Sequence, residues 1–234
     1  MKNATQYARK FSALLKQLGK TGKPGEPTSY DPVTQLVLGF LQWNSTTRQA
    51  QAAYERLMTE MVDNNDLRVS HPAEILRLLG ERYPRAAERV ERMHDALQEI
   101  FRREHGVSLD QLHKKGKKEV QQYLLSLPGM VPYAASLTTL MCFGGHGIPV
   151  DDHLAELLRS KGVVAPDATV EEITTFLEHH TKVDQAQQAH LVLQACVTKP
   201  AARGSSRSAA RTGAKAKGPA RSHAAKKSAG GKKK

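Results

Sequence analysis

Apolar side chains recur along this chain at the three-and-four-residue spacing of an α-helix, and nowhere do they alternate as in a half-buried strand. The clearest span is 84–104. There Val90, Met93, Leu97, Ile100 and Phe101 share one face, Arg85, Glu88, Arg92 and Glu99 lie elsewhere, and Pro84 fits the first helical position. The same pattern predicts helices over about 4–19 (Phe11, Leu14, Leu15, Leu18), 32–41, 46–62, 71–79, 151–160, 170–180 and 184–198. Thr46 with Gln49, and Thr169 with Glu172, have capping-box spacing at the starts of two of these spans. The breaker run Gly22-Lys23-Pro24-Gly25-Glu26-Pro27 separates the first helix from the rest. An all-α fold without internal repeats follows.

Charge divides the chain in two. Of 234 residues, 35 are Lys or Arg and 23 are Asp or Glu, a formal net charge of +12. Residues 200–234 hold 11 of the basic residues, with 10 Ala, 5 Gly, 5 Ser and no acid, so the body before them carries 24 basic against 23 acidic residues. The tail has no Leu, Ile, Val, Met, Phe, Tyr or Trp to bury and is expected to be disordered. Its cations, among them Lys226 and Lys227, suit a polyanion such as nucleic acid, whose counterions they would displace. The remaining body fits one or two domains. Two cysteines, Cys142 and Cys196, exclude a disulfide-dense scaffold, a four-cysteine zinc site and a four-cysteine iron–sulfur cluster. Both read as small buried residues. The first ten residues lack the apolar stretch of a signal peptide and no apolar run is long enough to span a bilayer, so a soluble intracellular protein that needs no membrane is expected.

Several chemical motifs fail on inspection. Gly19-Lys20-Thr21 ends like a phosphate-binding loop, but the glycine required five residues earlier is Leu14. Ten histidines include no His-Glu-x-x-His helix, and the adjacent His179 and His180 point to different faces, so solvated helix histidines are expected and no metal or cofactor is implied. One segment holds more. Residues 119–137 read as a helix, a tight Leu127-Pro128-Gly129 turn and a second helix, followed by Gly144-Gly145-His146-Gly147 and then Val150-Asp151-Asp152-His153. Such a hairpin points backbone N–H groups and a helix N-terminus outward, which favours an anion such as phosphate. By spacing alone, Asp151 or Asp152 is an N-cap for the helix that carries Leu154, Leu157 and Leu158.

Leu127-Pro128-Gly129, the small residues Ala134 and Ala135, and Val150-Asp151-Asp152-His153 together resemble the helix-hairpin-helix superfamily of base-excision DNA glycosylases, the endonuclease III-like group. The resemblance continues upstream in Leu41-Gln42-Trp43-Asn44-Ser45-Thr46 and Tyr83-Pro84-Arg85-Ala86-Ala87, and downstream in Lys182-Val183-Asp184 and His190-Leu191-Val192-Leu193, so it spans about 30–199. It implies a two-lobed helical fold with DNA across the cleft. A six-helix barrel would occupy about 32–146, with the hairpin at about 117–143, and the second lobe would combine 147–199 with the N-terminal helix and linker of 1–31. The target nucleotide is extruded from the duplex in such enzymes, because its glycosidic carbon is out of reach inside the stack.

The resemblance also assigns roles. Asp151 matches the aspartate that stabilises the sugar cation and assists the attacking water; Gln42 matches the glutamine that fills the space the flipped base leaves; Gly129 and the neighbouring amides of Met130 and Val131 would hold a backbone phosphate. Tyr133 stands where strand-cleaving members carry a Schiff-base lysine, which implies a monofunctional enzyme; tyrosine there resembles members that remove mismatched thymine or uracil, and a tyrosine packing the cleft wall is the structural alternative. The usual Gly-x-Gly of the hairpin reads Gly129-Met130-Val131, where Val131 resists positive φ and Pro132 lacks an amide donor, so phosphate binding is expected to be weaker. The family's C-terminal four-cysteine cluster is missing. Trp43 would stack on an exposed base or pack in the core beside Leu36 and Phe40, and Lys117 and Lys118, within Lys114-Lys115-Gly116-Lys117-Lys118, would reach phosphates or lie in a solvated loop. The expected partner is double-stranded DNA with a damaged or mismatched base, bound by a monomer. A degenerate DNA-binding protein without catalysis, and an enzyme with residual lyase activity, are the alternatives.

Overall fold

The computed structural model describes residues 4–21 and 28–197, and each regular element among them is a helix. The breaker run at 22–27 and the basic tail with Lys226 and Lys227 lie outside the described residues. The order is α1 (Ala4–Thr21), α2 (Pro32–Gln42), α3 (Thr47–Glu60), α4 (Asn64–Val69), α5 (Pro72–Leu79), α6 (Ala86–Glu104), α7 (Lys117–Leu125), α8 (Pro132–Cys142), α9 (Asp152–Ser160), α10 (Val170–His180) and α11 (Ala186–Val197). Both capping boxes form, with Gln49 and Glu172 returning the hydrogen bonds of Thr46 and Thr169. Helix α4 lies in none of the spans that periodicity predicts. Six residues are too few to show a 3.6-residue repeat, and Asp63 starts the helix by accepting from Asn65 N (2.8 Å) and Asp66 N (2.9 Å).

Buried apolar side chains gather into two clusters. The first draws on α2 through α8, including Leu36, Phe40, Leu57, Leu97 and Leu124; the second joins Phe11 of α1 to Ile148, Leu154, Leu158, Ile173, Phe176 and Leu193. Phe11 meets Phe176 edge-on with ring centroids 6.1 Å apart. This single buried ring fastens an otherwise amphipathic surface helix to the later part of the chain, and burial of such a side chain stabilises by about 2–3 kcal/mol.

Helix α2 is the spine of the first cluster, and all of its residues are buried. Asp31 caps it, accepting from Val33 N (3.1 Å) and Thr34 N (3.0 Å), with Pro32 at the first helical position. It packs most extensively on α8, and Gly39 makes that approach possible: a Cβ there would sit 3.0 Å from Ala134 Cα. Gly129, in the hairpin turn between α7 and α8, has φ +70°, and a Cβ would come within 2.6 Å of the Arg92 carbonyl oxygen. Its lack of a side chain therefore seats the hairpin on α6 as well as shaping the turn.

Two details of α6 correct the sequence reading. Pro84 is not its first residue: Arg85 takes a left-handed conformation (φ +51°) and the helix begins at Ala86. The Pro84 carbonyl is held by the Arg89 guanidinium (Nη2, 2.9 Å), and Ala86 N closes a turn onto Tyr83 O (3.2 Å). Phe101 is not part of the apolar face. Ile100 takes the core position, and Phe101 is 39% exposed beneath Arg68, whose guanidinium carbon lies 4.0 Å from the ring centroid. The cysteines are half-buried, not buried; burial pushes the Cys142 thiol up to about 12, which keeps it protonated and inert.

Candidate active site

The site grows from the turn that ends α2. Trp43 N closes the helix onto Gly39 O (3.1 Å), and Asn44 then adopts φ +53°, a region that asparagine tolerates better than most residues. That reversal aims the Asn44 backbone N–H at the Asp151 carboxylate (Oδ2, 3.0 Å), across 107 positions of sequence. The Asn44 side chain completes the clamp: Nδ2 donates to Asp152 Oδ2 (2.9 Å) and Oδ1 accepts from Asp152 N (3.0 Å).

Asp151 is 3% exposed, and its other oxygen, Oδ1, accepts from Leu154 N (2.9 Å), the N-cap bond of α9. Capping and chemistry thus coexist in one carboxylate, since each oxygen has a second lone pair after accepting one amide. Burial raises its pKa above the usual carboxylate value, while the amides of Leu154 and Asn44 pull the other way. A buried carboxylate of raised basicity is a better proton acceptor than an exposed one. Asp152 differs. Its side chain is open to solvent and engaged with Asn44 and, at 3.7 Å, with Arg85.

Tyr133, on the first turn of α8, is buried and accepts from Gln194 Nε2 of α11 (3.2 Å). Burial raises its pKa well above the ordinary phenol value, and the Asp151 charge adds to the shift, so the phenol stays protonated. Beside it a partly open cavity of about 190 Å³ lies between α2, α3, α8 and α11, with Gln42, Thr47, Leu137, Met141, His190 and Gln194 in its lining. Gln42 is buried there and donates to Thr47 Oγ1 (3.0 Å).

Three residues the sequence reading missed shape this region. Arg89 is fully buried, donating to the carbonyls of Phe40, Trp43 (2.6 Å) and Pro84; burial lowers its pKa to about 10 and it remains cationic. Asn44 carried no pattern that distinguishes it from an ordinary turn residue. His190 is buried at 3% exposure, against the expectation of solvated helix histidines, and its Nδ1 has no hydrogen-bond partner among the described residues. A histidine falling on the inner face of α11 beside Ala186, Ala189 and Leu193 was the available signal.

Burial lowers the His190 pKa from 6.5 to about 4. Between those values the unfolded chain binds a proton that the folded one refuses, so stability falls as pH falls from about 6.5 to about 4, by up to about 1.4 kcal/mol per pH unit. His190→Gln removes this dependence. Denaturant midpoints followed from pH 7 to 4 are expected to drop less steeply in the variant, and parallel curves would mean the imidazole is not held neutral.

The remaining candidates fall on the rim or in the core. Trp43 is half-buried against the first cluster, with the guanidinium carbons of Arg85, Arg92 and Arg89 at 4.9, 5.8 and 5.9 Å from its ring centroid. The partly exposed Arg85 and Arg92 make this a cationic shelf close to the hairpin, where Arg92 reaches Gly129 O (3.4 Å). Lys117 and Lys118 are exposed at the start of α7. The Met130 amide is spent on Leu127 O (3.2 Å), and the Val131 side chain is in the core with an ordinary φ of −102°. Among the described residues no cluster of three His, Cys, Asp or Glu side chains could hold a metal, and no helix is long and apolar enough to cross a membrane.

No family model matches the sequence, and no curated protein does. Solved structures do. The chain resembles endonuclease III trapped as a covalent intermediate with DNA (15% identity, TM-score 0.63, covering 83% of this chain and 85% of that one). It likewise resembles a thermostable thymine-DNA glycosylase (14%, 0.61, 83% and 87%) and an H. pylori 3-methyladenine DNA glycosylase bound to 1,N6-ethenoadenine (13%, 0.59, 79% and 94%). The fold is that of the helix-hairpin-helix DNA glycosylases.

Proposed function

We propose that this protein is a monofunctional DNA glycosylase of base excision repair. The observation that carries the reading is Asp151: a buried carboxylate, held by the amides of Asn44 and Leu154, in a fold shared with DNA glycosylases. The target nucleotide swings out of the duplex, which brings its glycosidic bond within reach of Asp151. As the glycosidic bond breaks, its electron pair leaves with the base and positive charge grows on the sugar. The fixed negative charge of Asp151 stabilises that cation, and its raised basicity suits it to take the proton of the water that adds to the sugar carbon.

Tyr133 supports the monofunctional part of the proposal. A protonated phenol forms no imine with a sugar aldehyde. Gln42 would steady the opened duplex from the cavity edge. The Arg85–Trp43–Arg92 shelf, the hairpin at Gly129, and Lys117 with Lys118 supply donors and charge for the phosphates.

The test is an incision assay on duplexes holding thymine or uracil opposite guanine, adenine opposite oxidised guanine, alkylated bases and abasic sites, read with and without alkali. Breaks that require alkali are expected. Breaks without it would reveal a lyase amine, and intact strands on every duplex, with DNA binding retained, would favour a non-catalytic DNA-binding protein.

Deleting residues 200–234 is expected to weaken binding to all duplexes alike. Its 11 Lys and Arg contribute a sequence-independent term that fades with salt, so the truncated chain should show a shallower dependence of log affinity on log salt and an unchanged base preference. Equal slopes for the two forms would exclude this role.

A further inference from the structure

We infer that Asp152, which the proposed chemistry leaves unused, is a positioning residue: it locks Asn44 in the turn after α2 so that the Asn44 amide fixes the orientation of the Asp151 carboxylate. The catalytic consequence rests on the glycosylase reading, whereas the contact itself is testable without it.

One amide leaves a carboxylate free to turn; two fix it. With the Leu154 N–H alone on Oδ1, the group could still rotate about its terminal torsion, which is broad for aspartate. The Asn44 N–H on Oδ2 stops that rotation and sets the plane in which the remaining lone pairs lie. Such control matters to a reacting group, since misplacement by about 1 Å can cost on the order of 10²-fold in rate.

The Asn44 amide reaches Asp151 from a residue held at φ +53°, a strained conformation that persists where surrounding contacts over-determine it. Asp152 supplies such contacts in a closed ring: its N–H donates to Asn44 Oδ1 (3.0 Å) and its Oδ2 accepts from Asn44 Nδ2 (2.9 Å). Other holds on the turn come from elsewhere. Arg89 donates to Trp43 O (2.6 Å) and Tyr83 to Leu41 O (2.7 Å), which fix the turn to α6 and the residues just before it. The Asp152 bonds tie it to the segment that carries Asp151.

Arg85 also meets this carboxylate, with Nη2 3.7 Å from Oδ2, and Arg85 too has a positive φ (+51°). Among the described residues only three that are not glycine do so, and two of them converge on Asp152. Its side chain is 64% exposed, so packing does not explain the convergence. The titratable groups facing Asp151 are Asp152 and His153 of its own segment and Tyr133 of α8, whose phenol stays protonated.

The experiment has two arms, both on the full chain. In the first, the Asn44 amide is followed by proton–nitrogen correlation NMR as pH falls, with Asp151→Asn identifying the part of its movement that Asp151 causes. That part is expected to shrink in Asp152→Ala, a truncation of an exposed side chain that leaves the fold intact, and to return in Asp152→Asn, which keeps an acceptor for Asn44 Nδ2. An undiminished response in Asp152→Ala overturns the inference. The second arm is single-turnover base release on the duplex that the incision assay identifies. Asp152→Ala should slow release about tenfold and Asn44→Gly, which still reaches positive φ but has no side chain, about 10²-fold, with DNA affinity near wild type. The double variant should be no slower than Asn44→Gly, because both changes act through one contact, and Asp152→Asn should recover most of the loss in Asp152→Ala. Additive losses, or a wild-type rate in Asp152→Ala, overturn the inference. If the wild type releases no base from any duplex, the glycosylase reading falls, and the NMR arm still decides whether Asp152 positions Asp151.

Discussion

If Asp151 carries the proposed glycosylase chemistry, Asp151→Asn is expected to slow base release by about 10³-fold or more while DNA affinity is retained, because it would remove both the charge opposite the sugar cation and the proton acceptor for water. The structure makes this a clean substitution. Asparagine keeps an oxygen for the Leu154 amide, so α9 stays capped. Its amide nitrogen would face the Asn44 N–H, leaving that donor unsatisfied at about 1–3 kcal/mol, and the cost of the buried charge disappears at the same time. Net stability should therefore move little. Single-turnover release, developed with alkali, decides the matter, and a wild-type rate in the variant would transfer the role to another group, Asp152 being the nearest. The pH profile gives a second readout: since burial raises the Asp151 pKa, the rate should fall on acidification at a higher pH than an exposed carboxylate would dictate.

Arg89→Met is expected to be among the most destabilising single changes in the chain, at about 3–5 kcal/mol by denaturant unfolding. Methionine fills much of the space but leaves the carbonyls of Phe40, Trp43 and Pro84 without their donor, and each buried unmade bond costs about 1–3 kcal/mol. The carbonyls of Phe40 and Trp43 sit at the C-terminal end of α2, where a cation also opposes the helix dipole. Arg89→Lys should recover only part of the loss, since a single ammonium does not span three acceptors as a planar fork does. A loss below about 1 kcal/mol in Arg89→Met would mean that water replaces the guanidinium.

The helices were legible because burial imposes a 3.6-residue rhythm, and the caps at Thr46 and Thr169 were legible because they are local. The hairpin was readable for the same reason: Leu127-Pro128-Gly129 is a turn signal between two helical patterns. What escaped has a common physical cause. Arg89 lies on the buried stripe of α6 with Ala86, Val90 and Met93, but a charged residue type reads as a surface one, and the carbonyls that hold it belong to distant segments of the chain. Asn44 and Asp151 are joined by one backbone amide, and an amide leaves no trace in residue type. Spacing cast Asp151 as a cap and resemblance cast it as the reactive carboxylate; the geometry shows one oxygen capping and leaves lone pairs for chemistry. His190 illustrates the converse: its place on the inner face of α11 with Ala186, Ala189 and Leu193 was written in the pattern, and only its residue type suggested solvent.

The clamp between Asn44 and the Asp151–Asp152 pair also bears on when in the life of the polypeptide this site comes into being. Its two halves are separated by more than a hundred residues, with helices α3 to α8 lying between them in the chain. Contacts of such long sequence separation form late, after the entropy of closing the intervening loop has been overcome. A chain in which that contact has not yet formed would thus present an ordinary capped helix with an aspartate at its start. The buried, amide-bound state of that carboxylate is therefore a property of the folded chain and not of its local sequence.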